Sequence, residues 1–189
     1  MRAAKSKIFI SMLLIMISAL LTSPTCAQGT VDTTKVQFHD DLLDHLVGKW
    51  NVTSIAHGEP FTADLEASWV LNHQYLLIHF MSREIIPWWG VPMEYYEYIG
   101  YNHYKQRYTF HGMSIEGDED PSEGFGYGYR DGNDFKTVAK YGDDKQGVQH
   151  IIWQPESNTW LIQSREESNG KESEVFLEMK LTAVKPTPK

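Results

Sequence analysis

The chain has one cysteine among 189 residues, few basic residues and no apolar run long enough to span a membrane. A single cysteine cannot form an intramolecular disulfide, so the core alone must hold the fold. Lysine and arginine number 17 against 25 acidic residues, a net charge of −8 at pH 7. Nucleic acids and anionic membranes require basic surfaces, so neither is an expected partner. The apolar run at residues 8–21 is shorter than the roughly 20 residues of a membrane helix.

The first 27 residues have the order of a secretory signal. Three basic residues precede the apolar run, and small residues lead up to Ala27. We therefore predict cleavage after Ala27 and a periplasmic or secreted mature protein with no membrane span. The residues before Cys26 are Ser-Pro-Thr, without the apolar residue of a lipoprotein signal, so lipid anchoring at Cys26 is not expected.

The remainder divides into a flexible leader at 28–37, one domain at 38–184 and a disordered tail at 185–189. From Phe38 to Val47, apolar residues recur every three or four positions with aspartates on the other face. That spacing predicts a short helix, and Gly48 is well placed to end it.

After Gly48 the chain reads as β-strands rich in aromatic and branched residues, separated by brief turns. Short connections predict an antiparallel up-and-down meander, and closing it into a barrel removes its edges. The fold class is therefore all-β, a barrel of about ten strands capped by the N-terminal helix. The strands are predicted at 48–56, 61–72, 74–84, 93–102, 105–113, 124–131, 134–141, 147–154, 158–167 and 173–184.

Successive loops of a meander lie at alternate ends of the barrel. The helix and Trp50 should close one end, whereas loops 87–92, 116–123 and 142–147 should surround an open mouth. The pair Trp88 and Trp89 suits a ligand gate, a protein contact or a folded-over part of the core. The acidic loop 116–123 is read as a solvated rim rather than a calcium site.

Several short motifs occur in an order that resembles a known family. They are Leu43–Trp50, Ala67–Asn72, Tyr75-Leu76, Tyr98–Asn102 and Tyr108–Phe110. Over roughly residues 39–183 the chain resembles secreted bacterial proteins with a calycin-like barrel, known only as a domain of unknown function. The resemblance implies that fold but no agreed activity and no catalytic residues.

The Gly-x-Trp start is more distantly similar to lipocalins, fatty-acid-binding proteins and haem-binding nitrobindins. In lipocalins an arginine from a late strand packs over this tryptophan, and the resemblance implies Arg165 for that role beside Trp50. Nitrobindins have a glycine-rich continuation where this chain has residues 51–53, Asn-Val-Thr. That difference counts against haem.

Residues inside the barrel are the candidates for ligand contact. His79, His111 and His150 each lie within a predicted strand, where they either face the interior or are ordinary surface side chains. Tyr101 is a further candidate for ligand contact, because the tyrosines of this chain could line the wall of a pocket. The chain has no spacing typical of a zinc site, so no cofactor is predicted, with haem or a metal kept as alternatives. Both faces of the third strand are apolar, so its inward face stays open.

These observations lead to three functional hypotheses. The first is non-enzymatic binding of a small apolar or aromatic molecule inside the barrel. The second is an enzyme that uses inward histidines and tyrosines as acid–base groups. The third is an interaction module, such as a homodimer, formed through the Trp88-Trp89 loop.

Overall fold

A computed structural model describes residues 37–86, 90–115, 124–141 and 145–185. Within these ranges the chain forms one short helix, α1, at Asp41–Asp44. The strands are β1 Gly48–Ala56, β2 Glu59–Val70, β3 Tyr75–Ser82, β4 Glu94–Asn102, β5 Arg107–Ser114, β6 Phe125–Asp131, β7 Asp134–Tyr141, β8 Lys145–Gln154, β9 Thr159–Ser168, β10 Lys171–Glu172 and β11 Leu177–Ala183.

Each strand from β1 to β9 pairs antiparallel with its successor, and β11 pairs with both β9 and β1. The sheet is therefore a closed barrel, and the predicted fold class is confirmed. β10 and β11 lie along the same edge of β9 and act as one interrupted tenth strand. Four residues, 173–176, lie opposite only two residues of β9 at the interruption, so the chain bulges there.

The predicted helix from Phe38 to Val47 is mostly irregular chain, with only four residues in α1. Asp40 begins the helix because its carboxylate accepts the backbone N–H groups of Leu42 and Leu43, both at 2.9 Å. Phe38 lies before the helix, and its backbone N–H donates to the carbonyl of His73 at 3.1 Å. Four apolar side chains of this segment, Phe38, Leu42, Leu43 and Leu46, are buried, whereas Val47 is 41% exposed. The spacing therefore identified most of the buried face but not the length of the helix.

Alternation along the strands separates an inner from an outer face. In β1 the side chains of Trp50, Val52, Ser54 and Ala56 are buried, and those between them are exposed. In β3, Leu76, Ile78 and Phe80 are buried, which settles the inward face that the sequence left open.

Glycines on the inner face of β6 make room for large rings. An added Cβ at Gly126 would lie 2.2 Å from the Phe110 ring and 2.3 Å from the carbonyl oxygen of Val138. One at Gly128 would lie 3.0 Å from the ring of Phe135. Neighbouring aromatic rings therefore fill the space that side chains would otherwise take, as glycine in a strand often permits.

The described residues contain no helix with the length and apolar character needed to cross a membrane. The predicted signal, most of the leader, Trp88, Trp89, loop 116–123 and residues 186–189 lie outside the described residues.

Candidate functional site

Three tryptophans bind α1 and the following turn to the closed end of the barrel through indole N–H hydrogen bonds. The indole N–H of Trp50 donates to the Leu46 carbonyl at 2.7 Å, and that of Trp160 to the His45 carbonyl at 3.3 Å. Trp69 donates to the Asp44 carboxylate at 2.7 Å. These bonds satisfy two backbone carbonyls of the turn after α1 and the side chain of Asp44. Trp50 is thus a buried plug at this end.

A second set of bonds centres on Asp40, which is 6% exposed. Besides capping α1, its carboxylate accepts the phenol O–H of Tyr108 and lies 3.3 Å from Nη1 of Arg130. Burial, and next the bond to Asp40, raise the pKa of Tyr108. A hydrogen bond to Asp41 at 2.5 Å chiefly raises the pKa of Arg130. This end is therefore sealed by apolar packing and by a charged network.

The other end of the barrel contains a cavity of about 230 Å³. Its wall is apolar apart from a few side chains. Aliphatic and aromatic residues from six strands and two loops form most of it: Ala56, Phe61, Leu65, Ile78, Phe80, Met93, Ile151, Ile162, Phe176, Leu177 and Met179. The other lining residues are His57, Tyr95, Glu97 and Gln149. An apolar cavity with a few polar groups is typical of a small-molecule site.

Among the described residues, Glu97 is the one carboxyl group that lines this cavity, and it is 4% exposed. Its Oε2 accepts the phenol O–H of Tyr95, whereas its Oε1 is buried and meets no hydrogen-bond partner among the described residues. Burial raises the pKa of Glu97, and the Tyr95 bond opposes that rise. An unpaired buried oxygen costs about 1–3 kcal/mol, so it calls for an explanation.

The Tyr95–Glu97 pair depends on a glycine in the neighbouring strand. Gly112 of β5 lies directly opposite Glu97 in the register. A Cβ at this position would stand 2.6 Å from the phenol oxygen of Tyr95 and 2.9 Å from Cε2 of the ring. The absence of a side chain at Gly112 therefore lets Tyr95 reach the Glu97 carboxyl.

The bulge between β10 and β11 places Phe176 at the mouth of the cavity. Its ring stacks on His57, with ring centroids 5.5 Å apart and planes at 16°. The backbone N–H of His57 also donates to the Phe176 carbonyl at 2.8 Å. His57 has a positive φ of 49° and precedes Gly58 at 86°, so a tight turn holds the stack in place.

Of the two alternatives for the three strand histidines, the interior position that ligand contact would need is wrong, and all three lie on the outer face of the sheet. His79 and His111 lie on the outer face because the residues that alternate with them, Ile78 and Phe110, are buried. His79 bonds to Glu94 at 2.9 Å and stacks on Tyr96, whereas His111 stacks on Phe125 at 3.9 Å. They fill shallow positions on the outside of the sheet.

His150 and Arg165 belong to a charged cluster on the outer face of β7 to β10. His150 Nδ1 lies 2.7 Å from Asp134, and its Nε2 lies 3.4 Å from Glu172. Arg165 Nε is 3.8 Å from Glu172, and its Nη1 donates to the Ser173 carbonyl. A hydrogen bond from Lys136 chiefly lowers the pKa of Glu172.

The expected packing of Arg165 over Trp50 is therefore also wrong. Ile162 and Ser164, on the inner face of β9, are buried, and Arg165 alternates with them. The arginine that does reach the closed end is Arg130, through Asp40 and Asp41.

Tyr101 does face the interior, but at the closed end. Its ring stacks on Phe38 with centroids 5.3 Å apart and meets Tyr108 edge-on. It is not among the residues that line the cavity. In the part of the chain that the structure describes, no group of three or more His, Cys, Asp or Glu side chains could hold a metal ion.

The acid–base arrangement proposed for an enzyme is not formed by these histidines, and the Trp88-Trp89 interaction surface is outside the described residues. Sequence reasoning missed Glu97, although a signal was present. Glu97 shares a strand face with Tyr95 and Ile99, and a carboxyl on an otherwise aromatic and apolar face is unusual.

The sequence matches no protein-family model, and a search of curated proteins returned no match.

Proposed function

We propose that this protein binds a small, largely apolar molecule in the cavity at the open end of its barrel. The observation that carries the proposal is the cavity itself, about 230 Å³ with a mainly apolar wall. Cavities of about 150 Å³ with apolar walls hold benzene, so this one suits an aromatic ring with a short side chain. Binding, rather than catalysis, is the proposed role.

Propylbenzene is a neutral probe of suitable size. We expect isothermal titration calorimetry to detect its binding, with a negative heat-capacity change because apolar surface leaves water. Ala56→Leu should abolish this binding, because Ala56 is 3% exposed and a larger side chain there enters the cavity.

Ile55→Leu is the matched control, since Ile55 is the neighbouring residue of β1 and is 55% exposed on the outer face. It should bind propylbenzene as the unmodified protein does. Unchanged binding by Ala56→Leu, with its folding verified by circular dichroism, would place the ligand elsewhere. Absence of any binding to the unmodified protein would refute the proposal.

We also propose that the protein is exported after removal of residues 1–27. The basic start, the apolar run and the small residues before Gln28 support this. Expressed in a bacterium, the mature protein should appear in the periplasmic fraction with Gln28 as its first residue, as read by N-terminal sequencing. Ala27→Arg should block cleavage, because signal peptidase requires a small residue there. Full-length protein confined to the cytoplasm would contradict the proposal.

A further inference from the structure

The buried carboxyl of Glu97 indicates more about the ligand than its apolar character. We propose that the cavity selects an apolar molecule that carries one protonated amine, and that the amine donates to Oε1 of Glu97. This inference rests on the proposed function, because it concerns the same cavity.

The Tyr95–Glu97 pair leaves one hydrogen-bonding position open. The Tyr95 O–H is donated to Oε2 of Glu97, and a cation in the cavity favours the ionised carboxylate, in which Oε1 can only accept. Gln149, also in the lining, directs its amide N–H towards Ser164 at 3.4 Å and not towards Glu97. The missing partner is therefore a donor, which the ligand can supply.

The site is built around the carboxyl. Gly112 opens the space that Tyr95 occupies, Tyr95 holds one oxygen of Glu97, and the other oxygen has no protein partner on a side chain that lines the cavity. Asp40, a carboxyl that serves the fold at the closed end, has protein partners for both of its oxygens.

The charges around the cavity also favour a cation. The other titratable side chains in the lining are Tyr95 and His57, and no lysine or arginine lines the cavity among the described residues. The chain has a net charge of −8, so its field attracts cations and repels anions. Removing Glu97 from water is already part of folding, so a cation that meets it gains a charge-assisted hydrogen bond in a dry site.

A matched series of phenylethyl compounds tests this inference. The probes are 2-phenylethylamine, 2-phenylethanol, propylbenzene and 3-phenylpropanoate, which share a ring and two methylenes and differ in the terminal group. By calorimetry at pH 7.5, the amine should bind about 10- to 100-fold more tightly than propylbenzene, the range for a hydrogen bond to a charged group. The carboxylate should bind most weakly.

Glu97→Gln should bring the ratio of the amine and propylbenzene affinities close to one. Glu94→Gln is the control, because Glu94 lies on the same strand but on the outer face, bonded to His79 and Tyr96. It should keep the ratio of the unmodified protein.

The outcomes separate this inference from the proposed function. Propylbenzene binding with no preference for the amine would overturn the inference and leave the apolar site intact. Equal binding of 2-phenylethanol and the amine would show that a neutral donor suffices, which also overturns it. If none of the four probes binds, both proposals fail.

Discussion

Asp40→Ala should lower the free energy of unfolding by about 3–5 kcal/mol, the usual cost of removing one partner from a buried charged network. The change leaves two backbone N–H groups, the Tyr108 phenol and part of the Arg130 guanidinium without their acceptor. Native proteins are only marginally stable, so this loss is a large fraction of the total free energy of unfolding. Urea denaturation followed by tryptophan fluorescence provides the measurement.

Two further variants separate the parts of this network. Asp40→Asn keeps an oxygen that can cap α1 but removes the charge facing Arg130. Its free energy of unfolding should therefore lie between those of the unmodified protein and Asp40→Ala. Asp41→Ala removes only an exposed contact with Arg130 and should change stability far less. Equal losses of unfolding free energy in Asp40→Ala and Asp41→Ala would show that the burial of Asp40 does not determine its contribution to stability.

Glu97→Gln should become more stable relative to the unmodified protein as the pH rises. Burial raises the pKa of Glu97 in the folded state above its ordinary value of 4.5. Below pH 4.5 both states are protonated and the residue adds no pH-dependent cost. Above it, the unfolded chain loses its proton before the folded protein does, so the unmodified protein loses stability until the folded pKa is passed. We therefore expect the variant to gain stability relative to the unmodified protein between pH 4 and pH 8, with the gain levelling off above the folded pKa of Glu97.

Glu94→Gln supplies a control with the opposite sign. The hydrogen bond from His79, and then that from Tyr96, lower the pKa of Glu94. Ionised Glu94 stabilises the fold above its unfolded pKa, and this stabilisation disappears as the pH falls through its folded pKa. Glu94→Gln should therefore lower the free energy of unfolding less in acid than at neutral pH. Denaturant unfolding of the three proteins at several pH values compares these trends. A flat profile for Glu97→Gln relative to the unmodified protein would contradict the burial of an ionisable Glu97.

The strands were largely predictable because alternation and turn residues act locally. Predicted and observed bounds of β1 and β7 coincide, and most others differ by one or two residues. The predicted helix was too long because a spacing of three to four residues indicates only which side chains are buried. Here, indole and aspartate side chains hold a mostly irregular segment across the barrel end, and those contacts are remote in sequence.

The site was less predictable because strand orientation is a property of the whole barrel. β3 is apolar on both faces, so His79 could not be oriented from its own strand. Arg165 was different, since Trp160, Ile162 and Ser164 already suggest an inner face that omits it. The unpaired oxygen of Glu97 depends on β4, β5 and β8 together, and no local pattern encodes it.

The pairing of β1 with β11 has a consequence for how the chain acquires its structure. Ser54 donates to the carbonyl of Glu178, 124 positions away, at 3.0 Å. Contacts of such sequence separation slow folding, because a long loop must close before they form. During synthesis, β1 and β9 each retain an unpaired edge until residues 177–183 leave the ribosome. A prematurely terminated chain therefore remains an open sheet prone to edge-to-edge association, and only the full-length polypeptide can complete the barrel.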